Sequence, residues 1–414
     1  MRHLGAMILT ALLLAAGNGR ADADMTLNGP GDLAGALEAA KDGGVLRLAG
    51  GDWGGLSLQK TSWPDGQPLV LTAADPSDPP RFSSMGLSGV HNVVLDGILF
   101  DYTFTPGDAR HYRPFRISGS EGIVVRNGVF DGDVAQDDDP SLDGFPAGFG
   151  LSVTGSSDVT LEDNIIRGFA RGLLVSRSRG ITIQRNDVHD IRSDGMDFAQ
   201  VQQVLIQGNH IHDFARSATS KDHADMIQFW TNRTDAPSED IQIRGNLLNS
   251  GRGLFTQSIF MRNEQVDRGR AGPEMFYRNV TIEGNFILNA HLHGITVGQA
   301  TGLSILNNTV VQNPTSKGEK DNTALWTPQI RVTPESTNVR VMGNVVSKIV
   351  GAEDQRDWTV ADNLFVQGRT RMEPGFYGAV FVGGDPVNPA SFLPKPGGPL
   401  DGTGIGAPLM VLAR

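Results

Sequence analysis

The chain lacks cysteine altogether in its 414 residues, which excludes disulfides and also lipid attachment through a lipobox cysteine. Aromatic residues are scarce at 7%, and no apolar run is long enough to cross a bilayer. Positive charge is in the minority, with 35 Lys and Arg against 46 Asp and Glu and no basic block. Nucleic acid is thereby excluded as an expected partner, since phosphate binding needs clustered cations. A formal charge of −11 would also repel a polyanion unless a metal ion or a local basic patch intervened. What is plentiful is glycine, 52 residues, a load that fits many turns.

Residues 1–23 read as a secretory signal. Arg2 and His3 open it, residues 7–16 are apolar, and Ala21-Asp22-Ala23 offers a small-x-small cleavage site. The mature protein is therefore expected to be exported to the periplasm or the medium, without a membrane span.

A short pattern recurs about eight times. Its clearest copies are GLSVTGSSDVTLEDN (150–164), GLLVSRSRGITIQRN (172–186) and GMDFAQVQQVLIQGN (195–209). The closing Asn164, Asn186 and Asn209 are 22 and 23 residues apart, and further copies end at Asn246, Asn285, Asn308, Asn344 and Asn363. Inside each copy apolar residues alternate, as in Leu151 and Val153 or Val159 and Leu161, between clusters of Gly, Asn, Asp and Ser. Period two means strands, and the runs are too short for helices. Three short strands per repeat predict an all-β fold, a single-stranded parallel β-helix in which alternate side chains fill a central stack. The asparagines are expected to bond along the helix axis inside a tight turn.

Residues 32–41 predict a short amphipathic capping helix, with Leu33, Ala36, Leu37 and Ala40 on one face and Asp32 at its N-cap. The expected organisation is a signal (1–23), an N-terminal cap region (24–42), a β-helix (43–368) and a Pro/Gly-rich C-terminal cap (369–414). Insertions at 131–148, 214–223 and 313–327 precede first strands of coils, and those at 231–239 and 263–278 follow them. They are expected to flank one sheet as walls of an open cleft suited to a long chain such as a polysaccharide.

Aligning the first strands puts charged residues on the outward face. The leading column reads Arg171, Asp194, Asp225, Gln257, His293, Pro328. A second reads Leu174, Asp197, Gln228, Phe260, Thr296, Arg331, and a third Ser176, Ala199, Trp230, Arg262, Gly298, Thr333. Adjacent coils sit about 4.8 Å apart, so Asp194, Asp197 and Asp225 share one small patch. The approach loop adds Lys221, Asp222 and His223, and the turn before His293 adds His291. Carboxylates one coil apart raise one another's pKa unless a cation, a proton or a substrate relieves them. The bland alternative is a solvated face with incidental ion pairs. Trp230 and Trp326 read either as sugar platforms or as wall packing. His189 and His212, each followed by Asp, read as a stack in a turn, and His210 as a surface residue. The acidic run Asp137, Asp138 and Asp139 reads as a solvated turn.

At these residues the chain resembles the pectate-lyase-like superfamily of right-handed parallel β-helices, mostly secreted enzymes on polysaccharides. SDGMDF (193–198), DHADMIQ (222–228), HGITVG (293–298) and QIRV (329–332) are similar to the polygalacturonase motif order N-T-D, D-D, G-H-G, R-x-K. The chain departs from it at Arg192, Ser193 and Ala224, in an extra coil (257–262), and at Val332-Thr333. DHAD (222–225) resembles the D-P-H-D motif of mannuronan epimerases. Three readings follow. The first is β-elimination or C5-epimerisation on a uronate, with His223, Lys221 or His293 as base. Arg262, Arg331 or a Ca²⁺ ion on Asp194, Asp197 and Asp225 would neutralise the carboxylate. Gln228, Trp230, His291 and Arg331 would line the subsites with Asp197. The second is inverting hydrolysis by Asp194 and Asp225, with His293 orienting the sugar. The third is a non-catalytic glycan-binding surface protein. A monomer acting on an acidic polysaccharide is the expected assembly.

Overall fold

A computed structural model describes residues 23–408 and 411, apart from 110, 221 and 319–321. The expected signal segment therefore lies outside the described residues up to position 22.

Each regular coil contributes three strands. One runs through Arg171–Ser176, Arg179–Gln184 and Asp187–His189, and the next through Met196–Ala199, Gln202–Gln207 and His210–His212. Each strand pairs in parallel with its equivalent one coil away. The second strands form a 13-stranded sheet. The first and third columns merge into a 21-stranded sheet because strand Pro80–Ser88 spans a corner and pairs with both Leu99–Asp101 and Phe115–Ser118. The fold is all-β and a parallel β-helix, as the repeat predicts. Among the described residues no helix is long and apolar enough to cross a membrane.

Alternation explains the core. Ile181 and Ile183 point in and are buried, with Thr182 outward between them, and Val204 and Ile206 repeat this one coil on. The asparagines stack as expected. Asn164, Asn186, Asn209, Asn246, Asn285, Asn308, Asn344 and Asn363 pass side-chain hydrogen bonds along the axis at 2.9–3.0 Å. Residues just before them are left-handed, including Asp163 (φ 55°), Gly208 (63°) and Gly343 (66°). Only Gly, Asn and Asp adopt that conformation readily, hence the recurring G-N and D-N pairs.

The ends differ in detail from the expectation. Strand Ala23–Leu27 already pairs with Gly44–Leu48, so the sheet begins before the helix. That helix is Leu33–Ala39 behind a 3₁₀ turn, and Asp32 makes no side-chain capping bond. Its apolar face is as expected, with Ala36 and Ala40 buried and Leu33 and Leu37 packed on the core. The C-terminal tail does more than close the last coil. Val380, Phe381, Phe392 and Leu400 pack on the outer side of third strands, against Leu247, Phe286, Leu288, Val311 and Val345. It reaches Asn249, whose side chain donates to the Val387 carbonyl. Third strands under the tail are apolar on both faces, as in Leu247–Asn249 (LLN) and Phe286–Asn289 (FILN). Uncovered ones alternate, as in Asp187–His189 (DVH) and His210–His212 (HIH).

The insertions knit into two walls. On one side Arg216 donates to the Phe255 carbonyl, and Ser316 to that of Gly253. On the other, Thr231 bonds Asn263 and Gln265 bonds Thr234.

Candidate functional site

The outward columns hold in register. Leu174, Asp197, Gln228, Phe260, Thr296 and Arg331 are successive partners. One expected position shifts. A bulge between His293 and Ile295 sets Gln329, rather than Pro328, opposite His293. Gly294 is the unmatched residue, and a Cβ on it would lie 2.5 Å from Val310.

Along this face the floor changes from covered to open. Ser152, Leu174, Asp197 and Gln228 are buried, whereas Phe260, Thr296 and Arg331 are partly exposed. The covered part holds the carboxylates. Asp194, Asp197 and Asp225 have no exposed surface. Gly195 lets two of them meet. Its N–H donates to the Asp225 carbonyl at 2.8 Å, and a Cβ would lie 2.7 Å from the Met226 carbonyl oxygen. Asp194 Oδ1 in turn accepts from the Asp225 N–H at 3.2 Å.

Among the described residues, Arg171 and His223 pair with these three carboxylates. Arg171 stands 3.1 Å from Asp194 Oδ2 and 2.8 Å from Asp197 Oδ2. The rings of Phe149 and Trp230 lie 5.4 and 5.6 Å from its guanidinium carbon, which shields it from water. His223 holds Asp225 Oδ2 at 2.7 Å through Nδ1 and lies 3.8 Å from Asp194 Oδ1. Its side chain is 55% exposed, while the two carboxylates it joins are sealed. Ser193 donating to the His223 carbonyl, and Arg192 paired with Asp222, hold the loop in place.

Three negative groups against two positive ones leave an excess, and the titration behaviour reflects it. Burial raises Asp194, against the pull of Arg171 and His223. Burial lifts Asp197 well above the usual carboxylate range, with Arg171 opposing and Asp194 and Asp225 adding. Burial pushes Asp225 up to about 6 despite its bond to His223. The Asp225 bond pushes His223 up to about 9, against its own partial burial. Burial disfavours the charged form of Arg171, but Asp197 and Asp194 outweigh this and raise it. Among the described residues nothing donates a hydrogen bond to Asp197 Oδ1 or Asp225 Oδ1.

Asp194, His223 and Asp225 bring ligand atoms within 4.8 Å of one another, a set able to chelate a divalent ion. The expected trio was Asp194, Asp197 and Asp225. Asp197 is committed to Arg171, and His223 takes its place. One nitrogen and two carboxylates fall short of the six to eight oxygens that Ca²⁺ takes.

The other expected residues form a second patch. Asp225 pairs with Gln257, and His293 lies a further coil on, about 10 Å from Asp225 at about 4.8 Å per coil. His293 Nδ1 is 2.7 Å from Thr296 Oγ1, and its ring is 4.9 Å from Phe260 and 5.0 Å from His291. His291 is buried on Phe255. Arg331 donates to Gln329, and exposed Arg262 pairs with Asp267 at 3.0 Å. Trp230 packs on Arg171 at the edge of the floor. Lys221 lies outside the described residues. Asp197 and Gln228, expected in subsites, are nearly sealed from solvent. The key residue that sequence reasoning passed over is Arg171. It heads the same column as Asp194 and Asp225, and that alignment was the available signal.

The right handed beta helix region family model matches residues 115–236 and 148–352. Among solved structures the chain is similar to the Dettilon tailspike protein gp208, with a TM-score of 0.51 and 12% identity over 81% of this chain and 62% of that one. The chain thus spans less than two thirds of that tailspike. It is also similar to PfbA, a surface adhesin of Streptococcus pneumoniae (TM-score 0.47, 11% identity, 83% of this chain and 92% of that one). A third is DFA-IIIase from Arthrobacter chlorophenolicus A6 without its lid (TM-score 0.45, 13% identity, 78% and 84%). At such identities the likeness is one of fold. No curated protein matches the sequence.

Proposed function

We propose that this chain, which belongs to the right-handed β-helix family, is an exported enzyme that acts on an acidic polysaccharide by proton transfer at C5 of a uronate, leading to β-elimination or epimerisation. The observation that carries this reading is the His223–Asp225 pair. A buried carboxylate holds Nδ1 at 2.7 Å, while the imidazole is exposed at the rim of the cleft. A carboxylate in that position fixes the tautomer and orientation of a histidine that exchanges protons through its other nitrogen.

His223 takes the C5 proton. In elimination the C5–H electron pair forms the C4–C5 double bond, the C4–O4 bond breaks, and the leaving oxygen takes up a proton. In epimerisation a proton returns to the opposite face of C5. Asp225 and Asp194 stabilise the imidazolium that forms. Arg171 opposes the rise that burial imposes on Asp194 beside it. Arg331 and Arg262 stand further along the cleft, where uronate carboxylates of neighbouring sugars can pair with them. Arg262 would exchange its exposed pair with Asp267 for one with substrate. A Ca²⁺ ion on Asp194, Asp197 and Asp225 would first have to displace Arg171 from two of them.

A second reading, inverting hydrolysis, draws on Asp225, whose carboxyl at about 6 lies in the range of a general acid. Its nearest approach to Asp194, under 4.8 Å, is short of the roughly 6.5–9.5 Å that leaves room for the attacking water.

The test is incubation of the mature protein with a panel of uronate polysaccharides in D₂O, with and without chelator. Either ultraviolet absorbance of an unsaturated product, whose C5 keeps no hydrogen, or inversion at C5 with deuterium entering there is expected. New reducing ends without an unsaturated product would transfer the case to hydrolysis. Binding without any chemical change would leave a glycan-binding protein.

A further inference from the structure

We propose that Asp187, His210 and His212 form a binding site for a divalent transition-metal ion on the flank of the helix, separate from the cleft. The site stands on third strands, Asp187–His189 and His210–His212, whereas the carboxylates of the cleft stand on or beside first strands. Pairing Asp187 with His210 and His189 with His212 in register sets these side chains on one face. One ligand atom from each of Asp187, His210 and His212 lies within 4.8 Å of the others. His212 Nε2 is 2.8 Å from Asp187 Oδ1, and His210 Nδ1 is 3.7 Å from the same oxygen. The two imidazoles stack with ring centres 3.9 Å apart.

The outer layer is built as well. Asp213 Oδ2 holds His212 Nδ1 at 2.7 Å, which leaves Nε2 toward Asp187. Carboxylates in this role orient metal-bound histidines and raise their basicity. Asp213 has its place because Gly251 lacks a side chain. A Cβ there would lie 1.9 Å from Asp213 Oδ1. Among the described residues the ion pairs of Asp187 and Asp213 are with imidazoles alone, so no guanidinium occupies the cation position as Arg171 does in the cleft. The C-terminal tail covers the third strands only from Leu247 onward, and the cluster remains half-exposed.

Two imidazoles and one carboxylate select a borderline ion such as Zn²⁺ or Co²⁺ over Ca²⁺ or Mg²⁺. Three protein ligands leave a fourth position open.

The test is titration of the mature protein with Co²⁺, followed by its visible absorption, and with Zn²⁺ by calorimetry. One equivalent at this site is expected. It should disappear in His212→Gln and persist in Asp225→Asn, which removes the cleft cluster. Asp213→Asn should weaken it by on the order of 10–100-fold. If His212→Gln fails to fold, Asp187→Asn gives the same reading. Absence of uptake by the unaltered chain, or uptake lost in Asp225→Asn and kept in His212→Gln, overturns the proposal.

Discussion

Two clusters of Asp and His stand on neighbouring coils, each with three ligand atoms within 4.8 Å. In the cleft the carboxylates are sealed and the histidine is exposed. On the flank every member is half-exposed. Burial pushes Asp225 up to about 6. At Asp187 burial acts in the same direction, but the His212 bond and neighbouring imidazoles outweigh it and hold the group low. The same residue types thus titrate differently where water is excluded and where it is not. A resident guanidinium marks the difference, since Arg171 already neutralises part of the cleft.

The largest effect that would sharpen this contrast is on activity. His223→Gln is expected to lower kcat/KM on a uronate substrate by about 10²–10⁴-fold, the usual worth of a general base. His212→Gln should leave it unchanged. Equal losses in initial-rate assays would erase the distinction. Next is stability. Arg171→Met strands two buried carboxylates and should cost about 3–5 kcal/mol by urea unfolding. Arg167→Met, which breaks an exposed pair with Asp131, should cost about 0–1 kcal/mol.

A third expectation concerns pH. The folded-state pKa of His223, about 9, lies above its unfolded value of about 6.5. Its contribution to stability is therefore complete below about pH 6.5 and is lost as pH rises through 9. The melting temperature should fall across that window, and His223→Gln should flatten the fall. A base of this pKa also implies kcat/KM rising toward pH 9. A smaller effect than that of Arg171→Met is expected from Gly251→Ala. It places a side chain on a left-handed residue against Asp213, and should cost about 1–2 kcal/mol and weaken metal uptake at the flank. Activity unchanged with metal uptake reduced would separate the two clusters cleanly.

Much of the coil was legible from local pattern. The alternation at Leu151, Val153, Val159 and Leu161 required strands, and the clusters of Gly, Asn, Asp and Ser between them announced the turns. The columns through Asp197, Gln228, Phe260 and Arg331 followed from that period. The slip at Gly294 did not, because a bulge preserves the alternation on either side of it. Arg171 was visible as a charge and not as a clamp, since its partners arrive from the next coil. His210 and His212 read as surface and turn residues, because the strand pattern carries no sign of Asp213 resting on Gly251, 38 residues away.

The sequence by itself determined the repeat, its three strands, the inward apolar stack and the asparagine ladder, because these depend on backbone preference and alternation within some 23 residues. Which outward residues meet water was decided by tertiary structure alone. Arg171 and His223 close over Asp194, Asp197 and Asp225, and the tail covers Leu247 and Phe286 yet stops short of His212. Burial is set by segments remote in the chain, and burial is what raises Asp225 in the cleft, while on the flank the imidazoles outweigh it and hold Asp187 low.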